Sequence, residues 1–359
     1  MVSSRPVVHN SKYLRIALSI AISGLTLFLA VRGISWRDMA SSLMHVSLGS
    51  LFLAMVCVVV NNFLKIIRWK VLMGELGQET SIIQIARAFI VGQNLNLFYP
   101  FRVGDLNRPF LVAGTAQKRA FVFGTIALEK IIDLECYAFL LLLLMLLFPL
   151  PVWINHSIFG LISLAVIIVV FLILTGSQRF GLSGILNWIL KKKPGWITER
   201  LWQHWGSWFR SGLDSLEVLK DQKGMFKVAL CSVLIWGVGA LTNYFILLAL
   251  RIKVSSLFDA TVISLLVLVG LIAGITIPSM PGKIGVFEYV CILCLGLFNI
   301  PQPAALSYGI LLHGVVYIPI IVAGLFSMLS LGFSQNFSLN MSSDRDPNIQ
   351  PSPVTPGEK

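Results

Sequence analysis

Charge is scarce in this sequence. Only 12% of its 359 residues are Asp, Glu, Lys or Arg, and just 16 are acidic; water-soluble domains carry about twice that charged fraction. The shortage excludes an ordinary soluble domain. Nucleotide-binding glycine motifs are missing too: there is no Walker pattern and no Gly-x-Gly-x-x-Gly after a strand. Gly-x-Ser-x-Gly and His-rich metal spacings are also absent, so no cofactor, metal or catalytic centre of those kinds is expected. No external loop carries an Asp-x-Asp pair for a sugar-phosphate metal, and no long polar segment is available to fold as a catalytic domain. The chain is therefore not read as an enzyme. Its five cysteines all lie in apolar stretches. Cys291-x-x-Cys294 has no second Cys or His pair to complete a zinc site, which leaves buried core thiols.

What remains is hydrocarbon. Apolar residues make up 56% of the chain. Uncharged runs at 16–31, 48–64, 152–175, 228–250, 260–278 and 304–331 are each near the roughly 20 residues a helix needs to cross a bilayer. A seventh, 136–150, is led in by the acid-bearing stretch 121–134. Helices satisfy their own backbone in lipid, so the fold class is an all-α polytopic membrane protein. About seven to eight transmembrane helices are expected, with re-entrant or broken helices in two related halves. The first run has no small-residue cleavage site and reads as a retained helix.

The formal net charge is +12. In a membrane chain such an excess records orientation and contact with anionic headgroups, not nucleic acid. Basic residues precede the first span, follow the second and crowd 176–227, whereas 149–156 has none; Arg32 and Arg37 run against the pattern. This places the N-terminus (1–13) in the cytoplasm. A first membrane half (14–175) follows. The 176–227 loop holds five of the nine tryptophans and reads as basic amphipathic helices, at the headgroup boundary or against the spans. A second half (228–333) precedes a disordered tail (334–359) rich in Ser, Asn and Pro.

Two halves are expected because a motif recurs. Pro100-Phe101-Arg102-Val103-Gly104 echoes Pro281-Gly282-Lys283-Ile284-Gly285: Pro, any residue, a basic one, a β-branched one, Gly. Each follows an apolar stretch (81–98 and 265–277) and interrupts it. Pro100, Gly104, Pro281, Gly282 and Gly285 are the candidate hinges. Paired interrupted helices are the sequence pointer to a transport site.

Around these breaks lie a polar amide, Asn96, and ionisable groups at membrane depth: Arg102, Asp105, Arg108, Glu129, Lys130, Asp133, Lys283, Glu288 and His313. Each charge costs ~2.5–3.5 kcal/mol to insert and tends to face the interior and a partner. They are expected to line a polar cavity, with Arg holding phosphate and the acids positioning Arg or taking protons. A purely structural ion network, and a loop with its own Arg–Asp pairing, remain open. Lys65, Arg68 and Trp69 end the second run where snorkelling anchors belong.

Several of these motifs resemble the transmembrane region of lysylphosphatidylglycerol synthases, a family of flippase-like proteins. The resemblance rests on Arg68-Trp69, on Asn96 with Pro100-x-Arg102-Val103-Gly104-Asp105 and Arg108, and on Glu129-Lys130-x-x-Asp133. Pro281-Gly282-Lys283-Ile284-Gly285-x-x-Glu288 and the helix carrying His313 and Tyr317 complete it, over about residues 14–331. Lys130, His313 and Gly282-Lys283 depart from the family pattern. The resemblance implies an integral protein of the bacterial inner membrane, of the lipid-translocating type but without the synthase domain, so lysyl-lipid synthesis is not expected. It does not carry the substrate over; the first reading is translocation of an anionic phospholipid or polyprenyl-linked lipid between leaflets. The alternatives are a non-transporting scaffold or regulatory subunit of a lipid or envelope-glycan synthesis complex and, further off, a membrane-embedded transferase. Membrane lipids are the expected partners, with a membrane complex or homo-oligomer also open.

Overall fold

A computed structural model describes residues 8–99, 102–148, 206–208, 210–212, 214–215 and 221–331. The 152–175 run, most of the Trp-rich loop, Pro100 and the 334–359 tail lie outside the described residues. Among the described residues there is no strand. The helices are α1 (Val8–Val31), α2 (Trp36–Met44), α3 (Leu48–Leu72), α4 (Gly74–Glu79), α5 (Ile82–Phe98), α6 (Val103–Val112) and α7 (Ala116–Leu147), then α8 (Gln222–Ala249), α9 (Leu257–Ile275), α10 (Val286–Gly296) and α11 (Gln302–Leu331). A 3₁₀ turn, Pro281–Lys283, sits between α9 and α10.

Short polar side chains start many of these helices by accepting from otherwise orphaned backbone N–H groups. Thr115 caps α7 and Ser256 caps α9, and the Asp221 carboxylate takes two N–H groups of α8 at 3.0 Å. Four helices among the described residues, α3, α8, α9 and α11, are long and apolar enough to cross a bilayer. A fifth span is possible if α1 and α2, bent by 84° at Arg32–Ser35, count as one. The chain is a helical membrane protein.

The most extensive helix pair is α3 with α8, tied by Asn61 donating to the Ile235 carbonyl. Around α9 lies the larger apolar core, to which α3, α7, α8, α10 and α11 contribute. Its polar stitches are buried: Asn243 Nδ2 donates to the Ser264 carbonyl at 2.9 Å and Tyr308 Oη to the Asn243 carbonyl at 3.2 Å. A second core joins the ends of α3 and α6 to α5 and the start of α7. Hydrophobic driving force between helices is weak in lipid, and close approach at small residues takes its place. Gly270 and Gly274 lie against Val290 and Cys294 of α10, and Gly309 lies on Glu288 and Cys291. Gly314 meets only Ile318 of its own helix. Cys291 and Cys294 are buried and unbridged. Outward faces carry Leu25, Phe28, Phe52, Phe63, Phe226 and Phe326, as a lipid-facing surface requires.

Candidate functional site

The first break follows Phe98. Tyr99 leaves α5 with extended backbone, and Arg102, at φ 53°, precedes α6. The chain then doubles back so tightly that α6 lies on α5. A Cβ at Gly104 would overlap the Gly92 carbonyl oxygen, and one at Gly92 would sit 2.7 Å from Cγ of Arg108. Both positions demand glycine. Through the space they leave, Arg108 reaches inward, its guanidinium carbon 4.0 Å from the Trp69 ring centroid and 4.9 Å from that of Phe89.

Arg108 is the hinge of a buried ion network. Its Nη2 donates to Glu129 Oε2 at 2.9 Å and its Nη1 to Asp105 Oδ1 at 3.3 Å. Lys130 Nζ is 3.3 Å from Asp105 Oδ2 and 3.7 Å from Glu129 Oε1. Arg68, from α3, donates through Nη2 to Asp133 Oδ1 at 2.7 Å and through Nη1 to Ser232 Oγ at 3.2 Å, and lies 4.0 Å from Glu129. Asn96 locks the turn: its Nδ2 donates to Asp105 Oδ1 at 3.1 Å, and its Oδ1 accepts from the Asp105 backbone N–H. Three cations thus meet three carboxylates, with Arg68 and Arg108 each 1% exposed. Breaking one such pair leaves a buried charge uncompensated, which is why the set stands or falls together. Only Asp133 and Lys130, about a third exposed, reach its edge.

The sequence assigned Lys65, Arg68 and Trp69 to snorkelling, and the structure corrects that for Arg68 and Trp69. Both are buried, and Trp69 Nε1 donates to Thr125 Oγ1 at 3.2 Å inside the second core. The signal was charge balance: Asp105, Glu129 and Asp133 outnumber Arg108 and Lys130 by one. Glu135 is not part of the network, and one of its buried oxygens has no hydrogen-bond partner among the described residues.

The second break repeats the form with other chemistry. After α9 the chain turns through Gly282 (φ 76°), Lys283 (φ 62°) and Gly285 (φ 88°). It is clamped against α1: Ser23 Oγ accepts from the Met280 N–H at 2.8 Å, and Gly285 lies on the α1 backbone at Ser23 and Leu27. Glu288 Oε2 accepts from the Gly285 N–H at 2.8 Å, while its Oε1 meets His313 Nδ1 at 2.6 Å. With Glu288 ionised that contact requires the proton on Nδ1. Phe287 and Tyr317 bracket the imidazole, with ring centroids 4.6 and 4.5 Å away. Pro281 is exposed.

The expected site residues therefore fall into three places instead of one cavity. Asn96, Asp105, Arg108, Glu129, Lys130 and Asp133 form the buried network; Glu288 and His313 form a second pair; Arg102 and Lys283 stand outside both. Arg102 is exposed and Lys283 half-buried, beside a shallow apolar cleft with Leu271, Gly274 and Phe287. Neither makes an ion pair with a carboxylate among the described residues.

This chain is similar to a curated protein of Haloferax volcanii, Glycosyltransferase AglD, at 24% identity over 314 residues. The match takes in 81% of this chain but only 50% of that relative, so the chain spans about half the relative's length. The family profile described as lysylphosphatidylglycerol synthase TM region matches residues 16–324. The chain, with its broken helices and buried charges, belongs to that family.

Proposed function

We propose that the chain moves an anionic phospholipid or a polyprenyl-linked lipid between leaflets of a bacterial inner membrane, its N-terminus cytoplasmic, and performs no chemistry on it. The observation carrying this reading is the pair of interrupted helices, each with charge beside it; the proposal puts both breaks at membrane depth. Irregular backbone is tolerated there only against protein or a water-filled path, and paired breaks are characteristic of transport sites. Two related halves, 14–175 and 228–333, within a bundle of seven to eight spans, belong to the same proposal. In their favour, α3, α5, break, α6 and α7 are matched in order by α8, α9, break, α10 and α11. Lengths agree as well: 17, 10 and 32 residues for α5, α6 and α7 against 19, 11 and 30 for α9, α10 and α11. In each half a buried side-chain pair ties the short helix to the long one, the Arg108–Glu129 ion pair and the Glu288–His313 hydrogen bond. Similarity to a protein named for glycosyl transfer keeps lipid-linked sugars among the substrates.

A second reading has an observation of its own. The buried network pairs three cations with three carboxylates, and such a set can be purely structural; the chain would then be a scaffold or regulatory subunit of a lipid or glycan synthesis complex. Reconstitution separates the two. Purified chain in vesicles, given fluorescent phosphatidylglycerol or labelled polyprenyl phosphate, is expected to move at least one faster than protein-free vesicles. A chain that moves neither lipid but co-purifies with a synthesis enzyme is a scaffold.

A further inference from the structure

Four non-glycine residues among those described have left-handed backbone: Arg102, Arg251, Lys283 and Asn299. A side chain disfavours that region, and residues held there against preference cluster at ligand clamps and switches. Two of the four are the basic residues of the repeated motif, one at each break. The folding of both halves has thus put equivalent cations in the same unusual conformation.

The 3₁₀ turn carrying Lys283 packs on α5, which ends four residues before Arg102. The two charges are close enough to act on each other electrostatically. Like charges side by side repel, and among the described residues no carboxylate comes within ion-pair reach of either. Arg68, Arg108 and Lys130 differ, because each already faces carboxylates. The described residues therefore leave Arg102 and Lys283 open to a counter-charge on a ligand. Around them, Phe98, Val103, Ile277, Met280 and Ile284 are exposed apolar side chains, so the missing anion belongs on a molecule with hydrocarbon attached.

We propose that Arg102 and Lys283, one from each break, together bind the phosphate of a membrane lipid. The inference rests on the lipid-handling reading above, and it names where the headgroup sits. Guanidinium supplies a planar fork for two phosphate oxygens, and ammonium supplies a point charge. The buried network is then the frame that holds α6, and with it Arg102, in place.

The test is binding, which separates this inference from translocation. Full-length chain in detergent is mixed with phosphatidylglycerol or with diacylglycerol, which has the chains but no phosphate, and retained lipid is counted by native mass spectrometry. Wild type should retain phosphatidylglycerol over diacylglycerol. Arg102→Gln/Lys283→Gln should lose at least about tenfold of that preference, and Arg102→Lys/Lys283→Arg should keep most of it. Equal retention by wild type and the Gln double variant would overturn the site, whatever the vesicles do. Inorganic phosphate displacing the lipid at equal concentration would overturn the assignment to a lipid. Should the Gln variant fail to fold, wild type alone decides: phosphatidylglycerol retention must fall as salt rises while diacylglycerol retention does not, and no salt dependence counts against the site. Lipid bound by both cations in a chain that translocates nothing leaves the site standing and removes only the transport reading.

Discussion

At the scale of single residues, the buried charges behave as a set. Glu129 accepts from Arg108, lies beside Lys130 and sits within 4.0 Å of Arg68. Glu129→Gln therefore strands Arg108 and leaves the network one positive charge in excess. The expected loss is about 3–5 kcal/mol, read as a lowered midpoint of thermal unfolding in detergent. Arg68→Met alone should be of similar size. Paired with Asp133→Leu it should recover most of that loss, since removing both partners leaves no orphaned charge. Failure of the double variant to improve on Arg68→Met would show that the two side chains do not act as a pair. Sequence reading found all three acids and two of the cations because ionisable groups are conspicuous in apolar helix. It missed Arg68 because partners 65 positions apart are invisible to local pattern, and the end of an apolar run is also where anchors stand.

At the scale of elements, the breaks were legible and their consequences were not. Proline, glycine and a basic residue inside apolar stretches marked the interruptions near 100 and 281 correctly. The sequence does not say that α6 folds back on α5, because that rests on a glycine-to-glycine contact between Gly92 and Gly104. Nor does it place the second break against α1, hundreds of positions away. One cavity was expected where charges are divided among a buried network, a His–Glu pair and two free-standing cations. Proximity in sequence to a break does not decide which way a side chain turns. These contacts can be tested directly. Gly104→Ala and Gly285→Ala each push a methyl into backbone, the latter also at φ 88°, and each should cost about 1–3 kcal/mol. Gly237→Ala, with open space around it, should leave the unfolding midpoint unchanged or slightly raised. Equal behaviour of all three would contradict the tight packing of both breaks.

At the scale of the whole molecule, scarcity of charge identified a membrane protein, and the described helices agree with it. The number of spans is less legible, because α7 carries its ion network inside an otherwise apolar helix, and α1 and α2 bend by 84° at a short connection. In the proposed two-half arrangement each break is fixed to the following long helix by a buried side-chain pair, and each presents one cation with no carboxylate partner among the described residues. If those cations guide a lipid phosphate across, removing them should stop movement without unfolding the chain, because neither pairs with a carboxylate of the frame. The measurement is the rate at which fluorescent phosphatidylglycerol becomes protected from an external quencher in vesicles holding wild type or Arg102→Gln/Lys283→Gln. The account predicts that wild type exceeds protein-free vesicles and that the double variant, with an unchanged unfolding midpoint, falls to the protein-free rate. A folded double variant that moves the lipid as fast as wild type would contradict it.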